Sequence, residues 1–364
     1  MRTRLVEMLR CPVCGDTLTP ETFQTEPDDD SGEPDWIGEG VLRDTDGLHE
    51  YPVILGVPRM LPPGEREGLG KRYPEFFAKH RDRLGTALLD ECGGGTEQDR
   101  VQGQIIDRFG YEWTEFKAYD SDNFIYWIEP IETQFFGGKL GLDIGCGAGR
   151  HSAEAASYGA EMVSIDLSWS VDSAVERSRT IPNMNVVQAD VFAPPFAPET
   201  FDFIFSLGVL HHTPDPPRAF DSVVPLAREG GAVLVMIYGS QRKWVIRLLA
   251  AARFVTNRLP NPVIKAVSHL GGVCDEFFIQ PYRALRALGL ERMAKAMFPT
   301  RIMNYADFSY RDIVTDWFDR LSYPEVHYYD DEQIRDWYES NAFRDILVTP
   351  LLNHAYRGLG YRST

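Results

Sequence analysis

Leu142-Asp143-Ile144-Gly145-Cys146-Gly147-Ala148-Gly149-Arg150 is the stretch whose reading decides the fold. Leu140, Leu142 and Ile144 alternate into it as a short buried strand does. Three glycines follow at alternate positions, and Arg150 to Ser157 reads as a helix start. A strand passing through a glycine turn into a helix N-terminus lets a ligand approach the backbone, because no Cβ stands in the way. The spacing narrows the ligand. A dinucleotide fingerprint needs G-x-G-x-x-G, but position 150 is Arg and the third glycine comes one residue early. Asp143, two residues before the first glycine, can hold an ammonium group, whereas it would repel a pyrophosphate.

Downstream, strands and helices alternate as a parallel sheet requires. Met162 to Ile165 is a strand ending in Asp166, an acid placed to accept from both ribose hydroxyls. Asn185 to Ala189 is the next strand, followed by Asp190, Val191 and Phe192. Phe201 to Ser206 is the fourth, and Leu207 to Pro216 leaves its carboxyl end. A helix over Pro217 to Arg228 and a strand over Val233 to Tyr238 complete this half. Any one of these acids alone could be a helix cap, and Asp166 before Leu167-Ser168 suits that role. Four loops or acids at four strand ends form a pattern that capping does not explain.

These residues resemble the motifs of the class I S-adenosylmethionine (SAM) methyltransferases. The run "FDFIFSLGVLHHTPDPPRAF" resembles the fourth motif and its sequel in the small-molecule branch of that superfamily. The resemblance implies a Rossmann-like seven-stranded α/β sheet with an antiparallel last strand, and SAM as cofactor. It implies a cofactor site made of Asp143, Gly145, Cys146, Gly147, Gly149, Arg150, Asp166, Leu167, Asp190, Val191, Phe192, Ser206 and Leu207. Asp190 would accept from the adenine amino group while the next side chain packs on the ring. Methyl transfer by in-line displacement asks the protein to position a nucleophile and take its proton. His211 and His212 leave the fourth strand where the methyl group should point. Either one is a candidate base, or the pair shapes the methionine pocket.

Composition bounds the remainder. A chain of 364 residues, 43% hydrophobic, can bury a sizeable core. Its net charge of −17 opposes general binding to a phosphate backbone. Five scattered cysteines suit a reducing compartment and give no disulfide framework. Met1 to Arg10 lacks the apolar stretch of a signal peptide, and no run has the length of a membrane span. A cytoplasmic protein is the expectation.

Residues 1–62 read as a small β-rich unit. Cys11-Pro12-Val13-Cys14-Gly15 looks like half of a zinc knuckle, and Gly40 to Leu42, Tyr51 to Ile54 and Gly56 to Pro58 read as short strands. "CPVCG" and "YPVILGVPRML" resemble the zinc-ribbon-like domain that activates RNA and protein methyltransferases and also occurs fused to methyltransferase domains. A tetrahedral site wants four ligands. Only Cys11 and Cys14 are of that kind here; Arg43, Asp44 and Asp46 stand where a second pair is expected, and His49 could be a third ligand. The unit is therefore read as a ribbon that has lost its metal, and zinc is not expected. Glu26 to Pro34 reads as a solvated acidic loop.

Residues 63–96 read as a linker with one helix near Tyr73 to His80, and Cys92 to Thr96 as a hinge. Residues 97–137 read as a helical lid, broken near Gly110, with a second helix from Ser121 to Phe136; Tyr111, Trp113 and Tyr126 are candidate lid residues. Residues 138–238 are the SAM-binding half, and residues 239–325 an insertion forming a helical cap. Between Glu229 and Asp275 there is no acid, against Arg242, Lys243, Arg247, Arg253, Arg258 and Lys265. In the helix expected over Arg242 to Leu259, Trp244, Leu248 and Val255 share one face, with Arg247 and Arg258 opposite. Such a helix can meet an anionic substrate, a membrane surface or water, and Arg247 and Arg258 are candidate acceptor contacts. Residues 326–364 are expected to finish the sheet with strands at Val326 to Tyr329 and Asp345 to Thr349, leaving a polar tail from Asn353.

The reading is therefore a SAM-dependent methyltransferase acting on a small-molecule acceptor, with an anionic or lipid-linked one left open. An RNA methyltransferase is the alternative raised by the ribbon; the acidity and the absence of an Asn-Pro-Pro-Tyr-type motif count against nucleic acid as a partner. A non-catalytic module that kept the fold is the third reading, and the intact glycine loop and acids count against it.

Overall fold

The computed structural model describes residues 1–26, 36–93, 100–116, 124–351 and 354–363. The acidic run from position 27 to 34, the glycines after Gly93 and the expected helix start at Ser121 lie outside them. A short helix α1 (Arg4–Met8) leads into an antiparallel sheet of four strands in sequence order, β1 (Thr19–Glu26), β2 (Trp36–Arg43), β3 (Glu50–Ile54) and β4 (Val57–Pro58). Strand β1 is polar at most positions and half exposed, so it carries no clear apolar alternation. Residues 63–93, expected to be a linker, fold as α2 (Glu67–Arg72), α3 (Pro74–Lys79) and α4 (Thr86–Gly93). They bury Leu69, Tyr73, Phe76, Leu88 and Cys92 against Val41 and Ile54 of the sheet.

The turn between β2 and β3 brings Asp44 and His49 to Cys11 and Cys14, so that one ligand atom from each lies within 4.8 Å of the others. Asp44 thus sets a carboxylate oxygen beside the two thiols and the imidazole, where the sequence lacks a second cysteine pair.

Helix α5 (Arg100–Glu115) runs unbroken through Gly110. The glycine there serves packing: a Cβ would sit 3.2 Å from Trp169 Cδ1. The expected helix over Ser121 to Phe136 is shorter, α6 (Phe124–Ile128), because Pro130 ends it and a 3-10 turn takes Thr133–Phe136.

The main sheet begins with β5 (Leu140–Ile144), α7 (Arg150–Ser157), β6 (Glu161–Asp166), α8 (Val171–Ser178), β7 (Met184–Gln188) and β8 (Phe201–Leu207). Helix α9 (Pro216–Val223) ends before the expected Arg228, since Pro225 cannot donate a helical hydrogen bond, and β9 (Ala227–Tyr238) starts earlier than its apolar run. The insertion holds α10 (Lys243–Thr256), α11 (Asn261–Ala287), α12 (Glu291–Met297), α13 (Thr300–Tyr305) and α14 (Tyr310–Ser322). After it come α15 (Asp331–Ser340), β10 (Phe343–Leu351) and β11 (Ala355–Arg362). Seven strands lie in the order β10-β11-β9-β8-β5-β6-β7; β5 to β9 are mutually parallel, and β11 runs antiparallel to β9.

Two expectations for the last part are corrected. Val326 to Tyr329 is not a sheet strand; it is an extended segment laid on His211 and Tyr238, with His327 N donating to His211 O (2.8 Å) and Tyr329 N to Tyr238 O (3.0 Å). The stretch expected to be a tail is β11, the strand between β9 and β10. Its Gly358 and Gly360 accept the ring of Tyr338, which lies 2.8 and 2.6 Å from where their Cβ atoms would be. In α10 the expected apolar stripe faces outward: Trp244, Leu248 and Val255 are exposed, while Arg253 and Thr256 are buried. Among the described residues, no helix is long and apolar enough to cross a membrane.

Both units share one core. Leu5, Leu9, Leu42, Val53 and Met60 of the N-terminal unit pack in the same cluster as Ile144, Val163, Val187 and Ala189.

Candidate active site

The glycine loop is shaped by backbone sign. Gly145, Gly147 and Gly149 all have positive φ (75, 54 and 76°), which L side chains rarely adopt. Gly147 also lies under the indole of Trp113, 2.8 Å from where its Cβ would be. Gly147 N donates to Asp166 Oδ2 (2.9 Å), tying the loop to the end of β6, while Ser168 N and Oγ donate to Asp166 Oδ1 at 2.8 and 2.7 Å. Burial raises the Asp166 carboxyl above its ordinary range.

Asp143 is only 2% exposed and accepts from Ser152 Oγ over 2.5 Å, with Ser164 Oγ donating to Ser152 behind it. It anchors the first turn of α7 beneath the loop. Burial pushes its carboxyl up to about 7, partly offset by the Ser152 bond.

Beyond the carboxyl ends of β5 to β8 lies a cavity lined by Gly145, Asp166, Leu167, Asp190, Val191, Phe192 and Leu207. Helix α5 closes it with Ile106, Phe109 and Trp113, and the chain after β8 with Val209, His212 and Pro214. Two carboxylates stand on otherwise mostly apolar walls. Asp190 Oδ1 accepts from Phe192 N (3.0 Å), and its side chain is hydrogen-bonded to Glu65, which reaches in from the segment before α2. Burial raises Asp190 as well.

His212 occupies the wall facing the cap. It is 3% exposed; Nδ1 lies 3.4 Å from Glu325 O, and Nε2 has no hydrogen-bond partner among the described residues. Burial lowers its pKa to about 3, so the imidazole is neutral at pH 7. Phe109, Tyr238 and Tyr323 ring it at centroid distances of 5.5, 5.8 and 4.6 Å. Asp319 Oδ1 sits 3.9 Å from Nε2, and Tyr238 Oη donates to Asp319 Oδ2 over 2.6 Å. Burial pushes Asp319 up to about 6 and holds Glu112, which accepts from Tyr323 Oη, well above the carboxylate range. His211, by contrast, is fully buried under Tyr238 at 3.9 Å and does not line the cavity.

A second cavity opens on the far side of Tyr238, lined by Arg242, Arg253, Arg320, Asp316, Tyr328 and His354 among others. Arg253 is held there by bonds to Arg320 O (2.8 Å) and Tyr328 Oη (3.0 Å).

Comparison with known proteins follows the same lines. Residues 142–235 match the family model described as a methyltransferase domain. The ubiquinone biosynthesis O-methyltransferase of Pseudomonas syringae pv. tomato is 26% identical over 172 residues, covering 45% of this chain and 73% of that protein. Its counterpart in Methylococcus capsulatus is 25% identical over 173 residues with the same coverage. Among solved structures, human N-acetylserotonin methyltransferase bound to SAM gives a TM-score of 0.44 at 14% identity, covering 74% of this chain and 61% of that one. A Burkholderia thailandensis 1,6-didemethyltoxoflavin-N1-methyltransferase gives 0.44 at 11% identity, covering 75% and 93%.

The chain is a SAM-dependent methyltransferase.

In this methyltransferase Gly145, Asp166, Leu167, Asp190, Val191, Phe192, Leu207, Trp113 and His212 come together around one cavity. Asp143, Cys146, Gly149 and Ser206 lie in the layer behind it: Cys146 is buried, Ser206 donates to Ile144 O (3.2 Å), and Gly149 packs on Met184 and Ala174. Arg150 stacks over Trp113 and Trp127 at 5.8 and 5.6 Å. Tyr111 turns away to pack on Phe318 in the cap, and Tyr126 is exposed. Arg247 and Arg258 are exposed and line neither cavity. Glu65, Phe109, Glu112, Asp319 and Tyr323 were not singled out from sequence. They reach the methyltransferase cavity or the chamber beside it only through tertiary packing, and no local pattern marks them.

Proposed function

We propose that the enzyme methylates a hydroxyl oxygen of a small-molecule acceptor bound between the cofactor cavity and the helical cap, with His212 as general base. The observation that carries this is His212 Nε2: buried at the cavity wall, neutral and without a hydrogen-bond partner among the described residues. SAM supplies a methyl carbon already activated by its sulfonium. The proposed holders are Asp166 for the ribose hydroxyls, Asp190 for the adenine amino group, Phe192 for the ring face and Gly145 for the close backbone approach. Two carboxylates on mostly apolar walls suit a ligand with a diol at one point and an aromatic amine at another.

With SAM bound, the acceptor oxygen would take the methyl group that the sulfonium supplies, and His212 Nε2 would take the hydroxyl proton. Asp319, 3.9 Å away, favours the imidazolium that results. Tyr238 fixes the Asp319 carboxylate by its 2.6 Å bond. Phe109, Tyr323 and the segment before Tyr329 keep water from the chamber. The two ubiquinone biosynthesis relatives are O-methyltransferases, which supports an oxygen acceptor. The arginines beyond Tyr238 would take an anionic substituent of it. The N-terminal unit is proposed as a ribbon-like module resembling the methyltransferase activators.

The test is transfer of labelled methyl from SAM to a panel of phenols, each with and without a carboxylate. Transfer to a phenol, abolished by His212→Asn while SAM still binds, is the expected result. Transfer only to amines or to RNA would overturn it.

A further inference from the structure

The N-terminal knuckle is built to present two thiols on one side. Cys11 N donates to Asp16 O (2.9 Å) and Gly15 N to Cys11 O (2.8 Å), closing the loop through Gly15 at φ +80°. The turn between β2 and β3 closes opposite it, with Asp44 N donating to His49 O (3.2 Å). Cys11 Sγ, Cys14 Sγ, an Asp44 carboxylate oxygen and a His49 ring nitrogen then lie within 4.8 Å of one another.

We propose that Cys11, Cys14, Asp44 and His49 bind one zinc ion. Zinc–ligand bonds of about 2.0–2.3 Å put tetrahedral donors roughly 3.3–3.8 Å apart, so the widest separation among the four has to close by about 1–1.5 Å. Two thiols select a soft or borderline cation over magnesium or calcium. Four protein donors leave no open position, which makes the site structural.

The surroundings agree with the donor set. Asp44 is 5% exposed, a buried carboxylate set beside the Cys14 thiol. Its Oδ1 accepts from His49 N (3.1 Å), which aims Oδ2 at His49 Nδ1 (2.6 Å) and to within 3.7 Å of Cys14 Sγ. Tyr51 Oη lies 3.1 Å from Cys11 Sγ, the kind of outer partner that orients a metal thiolate. Arg43, whose charge would oppose a cation, points to the other side, where it pairs with Glu21 and Glu50. On binding, the two thiol protons leave to solvent, and the proton that His49 shares with Asp44 moves to the other ring nitrogen. The ion then carries two thiolates, one carboxylate and a neutral imidazole.

The test uses the full chain, purified with thiols reduced and dialysed against a mild chelator. Elemental analysis should find about one zinc per chain, and cobalt(II) added to stripped protein should give tetrahedral d–d bands with thiolate charge transfer. Outer partners alone are worth about 10–100-fold in metal affinity, so Asp44→Ala and His49→Ala should each weaken cobalt binding by at least that factor. Should either variant fail to fold, Asp44→Cys decides: a ligand role keeps the metal, whereas a purely structural carboxylate loses it. Metal below about a tenth of an equivalent with no cobalt spectrum overturns the proposal. So does wild-type cobalt affinity in Asp44→Ala or His49→Ala, or loss of the metal in Asp44→Cys. None of these readouts depends on methyl transfer.

Discussion

Arg59 Nη1 donates to Gln188 Oε1 over 3.1 Å, joining the end of the N-terminal sheet to the outermost strand of the main one. The guanidinium is fully buried; its Nη2 reaches Asp172 Oδ1 (2.8 Å) and Ile54 O (3.2 Å), and Tyr73 stacks 4.7 Å away. Gln188 Nε2 in turn donates to Leu167 O (2.9 Å), on the cavity wall. Arg59→Met removes one partner of a buried ion pair, while Arg72 still holds Asp172. Urea unfolding should show a loss of about 3 kcal/mol, with weaker SAM binding beside it.

SAM affinity should depend on the loop and on the acid that holds it. Asp166→Ala removes a charged acceptor worth about 1.5–3 kcal/mol. Gly147→Val demands φ +54° of a branched residue and drives its Cβ into Trp113, so binding should be lost outright. Calorimetric titration of the folded variants measures both.

For catalysis, His212→Asn should lower kcat by about 10²–10⁴ while leaving the SAM dissociation constant unchanged. Because His212 titrates near 3, the pH–rate profile should show no imidazole limb near 6.5. The acidic limb should instead lie near 6, where Asp319 ionises, and Asp319→Asn should remove it.

Stability should carry the mark of Asp143. Its carboxyl is raised to about 7, above an unfolded value near 4, so the folded state binds the extra proton between these limits. The resulting stabilisation is complete below pH 4 and is lost as pH rises through 7, at about 1.4 kcal/mol per unit. Asp143→Asn keeps the contact with Ser152 without a titrating group. Urea midpoints at pH 5 and 7.5 should therefore favour the variant increasingly as pH rises.

Charge reversal separates the arginines of the cap. Arg242→Glu, in the cavity beyond Tyr238, should raise KM for a carboxylated acceptor more than it lowers kcat. Arg247→Glu with Arg258→Glu should leave both within about twofold, since neither side chain lines either of the two cavities described above. Initial rates at low and high salt measure the difference.

Features set by local chemistry were legible in the sequence. Alternating apolar strands, a glycine turn and acids at strand ends mark β5 to β8 because each signal sits within a few residues. Strand β11 was not, because Gly358 and Gly360 suggest a loose tail until the Tyr338 ring that occupies their missing side chains is known. Arg253 was passed over for Arg247 and Arg258, since the buried face of α10 is set by α14 and the segment at Tyr328, not by its own periodicity. Glu112 and Asp319, from separate helices, meet near His212 only when the cap closes over the sheet.

Strand β11 also dictates an order of assembly. It pairs with β9 on one side and β10 on the other, yet it follows both in the chain. On the ribosome β9 therefore waits with an open edge through the synthesis of the whole helical insertion and of β10. Translation speed across that interval, and whatever shields the edge meanwhile, should govern the yield of native enzyme more than the thermodynamics of the finished sheet.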